Sequence, residues 1–198
     1  SDLETTHESS YIEKARNSPD EVVKMAYELV DDSGNYNRYD PSSAIKPLKD
    51  FITKALVHVN GTALACLESL ESGFCYHLGG GMHHAMSDKP GGFCIFNDIV
   101  FGIRNLQKKK LINSAIVIDM DAHKGDGTAE ITENDDSIST FSIHMRDGWP
   151  LNLSRFENNE INRSFTPMHN VILNNKEKMK SFRIFFIILF LFLLKVFL

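Results

Sequence analysis

The sequence has little from which to build crosslinks, a basic surface or a membrane span. Its 198 residues include only 3 cysteines, Cys66, Cys75 and Cys94. They form no CxxC pair and no even disulfide framework, which points to a reducing compartment, nuclear or cytoplasmic. Residues 1–10 are polar and acidic with no apolar h-region, so no secretory signal is expected. Positive charge is short as well. There are 21 Lys and Arg against 26 Asp and Glu, a net charge of −5. A pI near 5.9 leaves no electrostatic footprint for direct nucleic-acid binding. The excess acid is local, with 11 acids and 6 bases in residues 1–50 and 15 of each in the rest. The apolar run Ile184 to Leu194 has 11 residues, short of the ~20 a spanning helix needs. With 42% hydrophobic, 24% charged and 10% aromatic residues, a wholly disordered chain is excluded. The length suits one ordinary domain or a piece of a larger one.

Periodicity organises the first 150 residues. Glu21 to Val30 predicts a helix with Asp20 as its cap. Ala44 to Leu70 predicts a long helix, in which Asn60-Gly61 marks either a kink or a close helix contact. Gly73 to Leu78 reads as a strand emptying into Gly79-Gly80-Gly81, and Phe96 to Gln107 as a helix. The unbroken run Ala115-Ile116-Val117-Ile118 predicts a strand buried on both faces of a parallel sheet. A short helix then leads to a strand at Ser139 to Ile143. The alternation is that of a doubly wound α/β fold, whose chemistry lies beyond the carboxyl ends of the strands. Residues 152–175 hold seven Asn, and 15 of the 18 residues in 181–198 are apolar. That composition predicts a divergent tail, 152–198, behind a domain portion, 1–151.

Three segments carry chemistry. In Asp119-Met120-Asp121-Ala122-His123-Lys124-Gly125-Asp126-Gly127, alternation along a strand sends residues 119, 121 and 123 to one side. Asp oxygen and His nitrogen two residues apart can converge on one cation, and both are ordinary ligands of catalytic zinc. Read alone, the segment is also compatible with a solvated loop. Gly79-Gly80-Gly81-Met82-His83-His84 lacks the GK[ST] of a phosphate loop, and its two His suit acid/base work. Asp119 and Asp126 are candidates to orient those imidazoles. In Pro90-Gly91-Gly92-Phe93-Cys94, Phe93 can wall a narrow channel or simply pack, and Trp149 offers a second such wall. No base neighbours Cys94 in sequence, which argues against a nucleophile.

Taken together, Gly-Gly-Gly-Met-His-His, Gly-Gly-Phe-Cys-Ile-Phe-Asn-Asp and Asp-Met-Asp-Ala-His-Lys-Gly-Asp-Gly resemble the histone deacetylase family. That superfamily includes acetoin-utilisation proteins and acetylpolyamine amidohydrolases. The likeness runs from about His7, in His7-Glu8-Ser9-Ser10-Tyr11-Ile12, to Pro150. It implies a truncated arginase-like α/β fold, with a mainly parallel sheet flanked by helices. It implies hydrolysis of the acetyl amide of acetyl-lysine in histones, other proteins or polyamines, and hence chromatin regulation. By that resemblance Asp121 and His123 are zinc ligands. His83 and His84 are the acid/base pair, with His84 the general base, and Asp119 and Asp126 stand behind them. Asp40, in Tyr39-Asp40-Pro41, grips the substrate backbone, while Gly92, Phe93 and Trp149 line the acyl-lysine tunnel. A monovalent cation, potassium, is implied beside Asp119, Asp121, His123, Ser142 and Ile143.

The resemblance also calls for a third zinc ligand, an Asp from a later loop, and for a later Tyr that bonds the oxyanion. The last Tyr here is Tyr76, and Glu157, Glu160 and Glu177 lie in no such motif. An impaired deacetylase is therefore expected. The other readings are a non-catalytic acyl-lysine binding module, tethered to a membrane through 184–194, and a dinuclear hydrolase whose extra Asp ligands are not found. Altered reading of the gene accounts better for the tail than a membrane anchor does.

Overall fold

The computed structural model describes residues 2–31, 33–37, 40–145 and 149–150. After a 3-10 turn at Asp2–Thr5, helices α1 (Ser9–Asn17), α2 (Pro19–Ala26), α3 (Asp50–Ser72) and α4 (Asp98–Lys108) follow. A parallel unit closes the described chain: β1 (Ala115–Asp119), α5 (Asp126–Thr132) and β2 (Ile138–Ser142).

The helix α2 starts earlier and ends sooner than its apolar spacing predicts. Pro19 occupies the first helical turn, where its missing N–H costs nothing, so Ser18 and not Asp20 is the cap residue. At the other end Glu28 takes a left-handed φ of 50°. Leu29 N–H then reaches back to Lys24 O (2.9 Å) and Glu28 N–H to Met25 O (3.2 Å), a paired closure that usually recruits glycine. Helix α1, absent from the sequence reading, buries Tyr11, Ile12 and Ala15 on one face.

The predicted 44–70 helix begins only at Asp50 and runs unbroken past Asn60-Gly61 to Ser72. Gly61 therefore marks close contact and no kink. A Cβ there would lie 2.6 Å from His77 Nε2. Gly73, at φ 80°, closes α3 by donating its N–H to Ser69 O.

The strand expected at Gly73 to Leu78 is not formed. Phe74, Tyr76 and Leu78 are exposed and alternate with half-buried Cys75 and His77. Among the described residues no ladder partner pairs with that stretch, and alternation alone does not make a strand. The β1 and β2 bounds fall one residue from those predicted. They pair in parallel register from Ala115 with Ile138 to Asp119 with Ser142. In β1 only Ala115, Val117 and Asp119 are buried, so among the described residues one face is covered fully and the other in part.

Helix α4 joins two apolar clusters. Phe101 packs with Tyr11, Val22, Val23, Leu29, Val59 and Phe96, beneath α1 to α3. Ile99, Val100, Ile103 and Leu106 pack with Cys66, Ala115, Val117 and Ile138. Gly102 lets α3 approach, since a Cβ there would lie 3.0 Å from Cys66 Sγ. Among the described residues no helix is long and apolar enough to cross a membrane. The tail from 152, including 184–194, lies outside the described residues.

Candidate active site

The carboxyl end of β1 delivers Asp119, and Asp121 and His123 follow in the turn beyond the strand. Asp119 and Asp121 are buried while Met120 between them is exposed. The chain is braced there by its own carboxylates: Asp121 N–H donates to Asp119 Oδ1 at 3.0 Å and His123 N–H to Asp121 Oδ1 at 2.7 Å.

The two histidines of the glycine loop turn into this end. Each has Nδ1 at 2.6 Å from a carboxylate, His83 on Asp119 Oδ2 and His84 on Asp126 Oδ1. A carboxylate only accepts, so Nδ1 carries the proton and Nε2 is the free nitrogen of the neutral ring. The ring centroids are 4.0 Å apart, and both residues are buried. Burial pushes the His83 imidazole down, but its hydrogen bond to Asp119 and the charges of Asp119, Asp121 and Asp126 outweigh this and leave it raised. The complement holds for Asp119, where burial raises the carboxyl and the bond and charge of His83 bring it below its ordinary value.

Asp121 and His123 meet directly, with Oδ1 within hydrogen-bonding distance of Nδ1. Oδ1 of Asp121 and Nδ1 of His123 are 3.0 Å apart, a span compatible with one ion at the usual ~2.0–2.2 Å from each. The donor set, one carboxylate oxygen and one imidazole nitrogen, suits zinc. Among the described residues no group of three His, Cys, Asp or Glu side chains is arranged to hold a metal. The residues present fit as two ligands of a site that needs another.

The residues expected to line a channel are brought together only in part. Trp149 stands edge-on to His84 at 4.7 Å and to His123 at 6.1 Å between centroids. Gly92, at φ 50°, is squeezed between them: a Cβ there would overlap the His84 ring and lie 2.6 Å from Trp149. Phe93 is half exposed and packs edge-on against Tyr27 at 5.5 Å. Asp40 is exposed, with Oδ1 accepting Ser42 N–H at 2.8 Å, a bond that holds its carboxyl below the ordinary value. No bond among the described residues links Asp40 to the histidines, and Tyr39 lies outside the described residues. Ile143 N–H donates to Asp119 O at 2.9 Å, and Ser142 Oγ lies 2.9 Å from His144 Nδ1. The register thus gathers the Asp119, Ser142 and Ile143 backbone at one end of the sheet.

Several supports are beyond motif reading. Thr128 N–H, at the start of α5, donates to His83 O at 2.9 Å. Asn97 Nδ2 donates to Ala85 O (3.2 Å) and Thr128 Oγ1 (3.1 Å) while Asn97 Oδ1 caps α4 through Val100 N–H. His7 Nδ1 lies 2.9 Å from Met86 O, and its Nε2 accepts Asn97 N–H at 3.0 Å. Gly125 and Gly127 allow the approach. A Cβ on Gly125 would overlap Asp119 Oδ2, and one on Gly127 would lie 2.5 Å from His84 C. The position of Asn97 before an amphipathic helix signals its capping role. Nothing local signals the role of His7, whose partners are 79 and 90 residues away.

The histone deacetylase domain matches residues 1–197. The acetoin utilization protein AcuC of Staphylococcus aureus (strain MRSA252) is 30% identical over 148 residues, covering 72% of this chain and 35% of its own length. A probable deacetylase of Methanothermobacter thermautotrophicus is 37% identical over 92 residues, 46% of this chain and 28% of its own. An uncharacterized protein of Picosynechococcus is 36% identical over 104 residues, 52% of this chain and 35% of its own. The chain spans about a third of the length of these relatives.

Proposed function

The chain belongs to the histone deacetylase domain family, and from that premise we propose that it carries part of a zinc-dependent site hydrolysing the acetyl amide of acetyl-lysine. One observation supports this above the rest: two buried imidazoles, each bonded at 2.6 Å to its own carboxylate, beside the Asp121–His123 pair. Zinc, held by Asp121, His123 and a further donor, supplies a Lewis acid for the amide carbonyl when bound. His84 is the general base. With Nδ1–H committed to Asp126, its Nε2 takes a proton from the attacking water and passes one to the departing amine. His83, drawn toward its cationic form by Asp119, favours negative charge developing next to it.

Gly92, Phe93 and Trp149 form the channel for an acetylated lysine of a protein or for an acetylated polyamine, with Asp40 holding the substrate backbone at its rim. Histones are the substrate that would tie the protein to chromatin. Potassium would be held by carbonyls near Asp119, Asp121, His123, Ser142 and Ile143. Three free thiols agree with a reducing nuclear or cytoplasmic setting. We read the domain portion as ending near 151 and 152–198 as a divergent tail, on its Asn-rich and apolar composition, although the family match itself runs on to residue 197.

Two ligands and no oxyanion Tyr after Tyr76 make this chain alone a weak catalyst. Acetate release from an acetyl-lysine peptide by the zinc-loaded chain should lag a version extended with the missing Asp and Tyr loops by roughly 10²-fold or more. In the extended version, His84→Ala should slow turnover by roughly 10²–10⁴. Unchanged turnover in that variant would remove the assignment.

A further inference from the structure

We propose that Asp98 is a positioning residue that sets the His83–His84 pair by gripping the backbone of the glycine loop, with Thr62 of α3 aligning its carboxylate. The proposal rests on the deacetylase reading for its catalytic consequence, though not for its geometry. Asp98 opens α4 and is completely buried. Its Oδ1 accepts Met82 N–H at 2.6 Å and Gly81 N–H at 3.1 Å; its Oδ2 accepts Gly81 N–H at 2.9 Å and the Thr62 hydroxyl. All these partners donate. Together with the positive end of α4, they offset the cost of burying a carboxylate without an ion-pair partner among the described residues.

The grip falls one and two residues before His83, whose N–H is bonded in turn to Gly81 O at 2.9 Å. On the far side Thr128 and Asn97 hold the His83 and Ala85 carbonyls. The backbone carrying both imidazoles is thus fixed before and after, and the 2.6 Å bonds to Asp119 and Asp126 depend on where it is fixed.

The grip also explains the triple glycine. A Cβ on Gly80 would lie 2.5 Å from Thr62 Oγ1 and 2.6 Å from Asp98 Oδ2, so only glycine lets the loop pass this pair. Gly79 and Gly81 take φ of 113° and 93°, values open to glycine and rare elsewhere. The glycines serve a buried carboxylate, with no phosphate needed.

Asp98→Asn replaces one acceptor by an NH₂ group facing N–H donors, so the loop must shift. The direct reading is the low-field Nδ1–H proton signals of His83 and His84 in the full chain by NMR, with Ile103 and Leu106 methyl signals reporting the rest of α4. The expected result is displacement or loss of both histidine signals with the methyl signals kept. Thr62→Val should displace them in the same direction, Thr62→Ser should keep them, and the Thr62 pair decides the matter if Asp98→Asn does not fold. In a version with turnover, Asp98→Asn should lower kcat about a hundredfold with KM unchanged. Histidine signals that stay in place in Asp98→Asn, or in Thr62→Val where Asp98→Asn does not fold, overturn the positioning role. Absence of deacetylation in every version would count against the functional reading and leave the NMR result standing.

Discussion

At the scale of single residues, the site is built by atoms that leave no room for substitution. Gly92 is the sharpest case, because a Cβ there overlaps His84 and reaches Trp149 while φ is already left-handed. Gly92→Ala should therefore push the His84 ring off Asp126 and crowd Trp149. Loss of the low-field His84 Nδ1–H signal, with a cost of about 1–3 kcal/mol in urea unfolding, is the expected outcome. An unchanged signal would mean that Trp149 yields instead. Residue chemistry was also what sequence made most readable. Asp119 ends β1, and Asp121 and His123 follow at two-residue steps in a turn where each N–H bonds the carboxylate two residues back, so their proximity is local. The contacts of His7 and Asn97 with Met86 and Ala85 are not, because they depend on where distant loops come to rest.

At the scale of elements, α4 is the common wall of both apolar clusters and the anchor of the glycine loop. Leu106 is almost completely buried on its inner face among residues that also touch β1. Leu106→Ala should lower unfolding free energy by about 2–5 kcal/mol, measured by chemical denaturation. A loss well under 1 kcal/mol would show that the α4–sheet cluster is not cooperative with the rest. The helical stripes and the β1 run announced α3, α4 and β1 because burial imposes a period. Their ends were less readable. Glu28 closes α2 in a conformation usually left to glycine, and residues 73–78 alternate like a strand without a described partner. In α1 the buried Tyr11, Ile12 and Ala15 are outnumbered by polar neighbours, so the short apolar stripe does not stand out.

At the scale of the whole molecule, the N-terminal segment is latched onto the site through a histidine that must stay neutral. Burial pushes the His7 imidazole down to about 4, and its Nε2 must accept Asn97 N–H, which a protonated ring cannot do. In the unfolded chain the same ring takes a proton near 6.5, so the unfolded state binds more protons between these values. The stabilisation is complete above about 6.5 and is lost as pH falls toward 4, roughly 2 kcal/mol of it by pH 5. His83, raised in the fold, works in the opposite sense, so the comparison that isolates His7 is wild type against His7→Gln. The difference in unfolding free energy between them should shrink by that amount from pH 7 to 5. A constant difference would mean that His7 titrates normally.

The central claim is that Asp121 and His123 hold a metal beside the two carboxylate-bonded imidazoles. Zinc content of the purified chain after equilibration and desalting, measured by elemental analysis, tests it most directly. The account predicts bound zinc at an affinity below that of a complete three-ligand site, and its loss in both Asp121→Ala and His123→Ala, with Cys66→Ala and His58→Ala unaffected. Equal zinc in wild type and His123→Ala would contradict it.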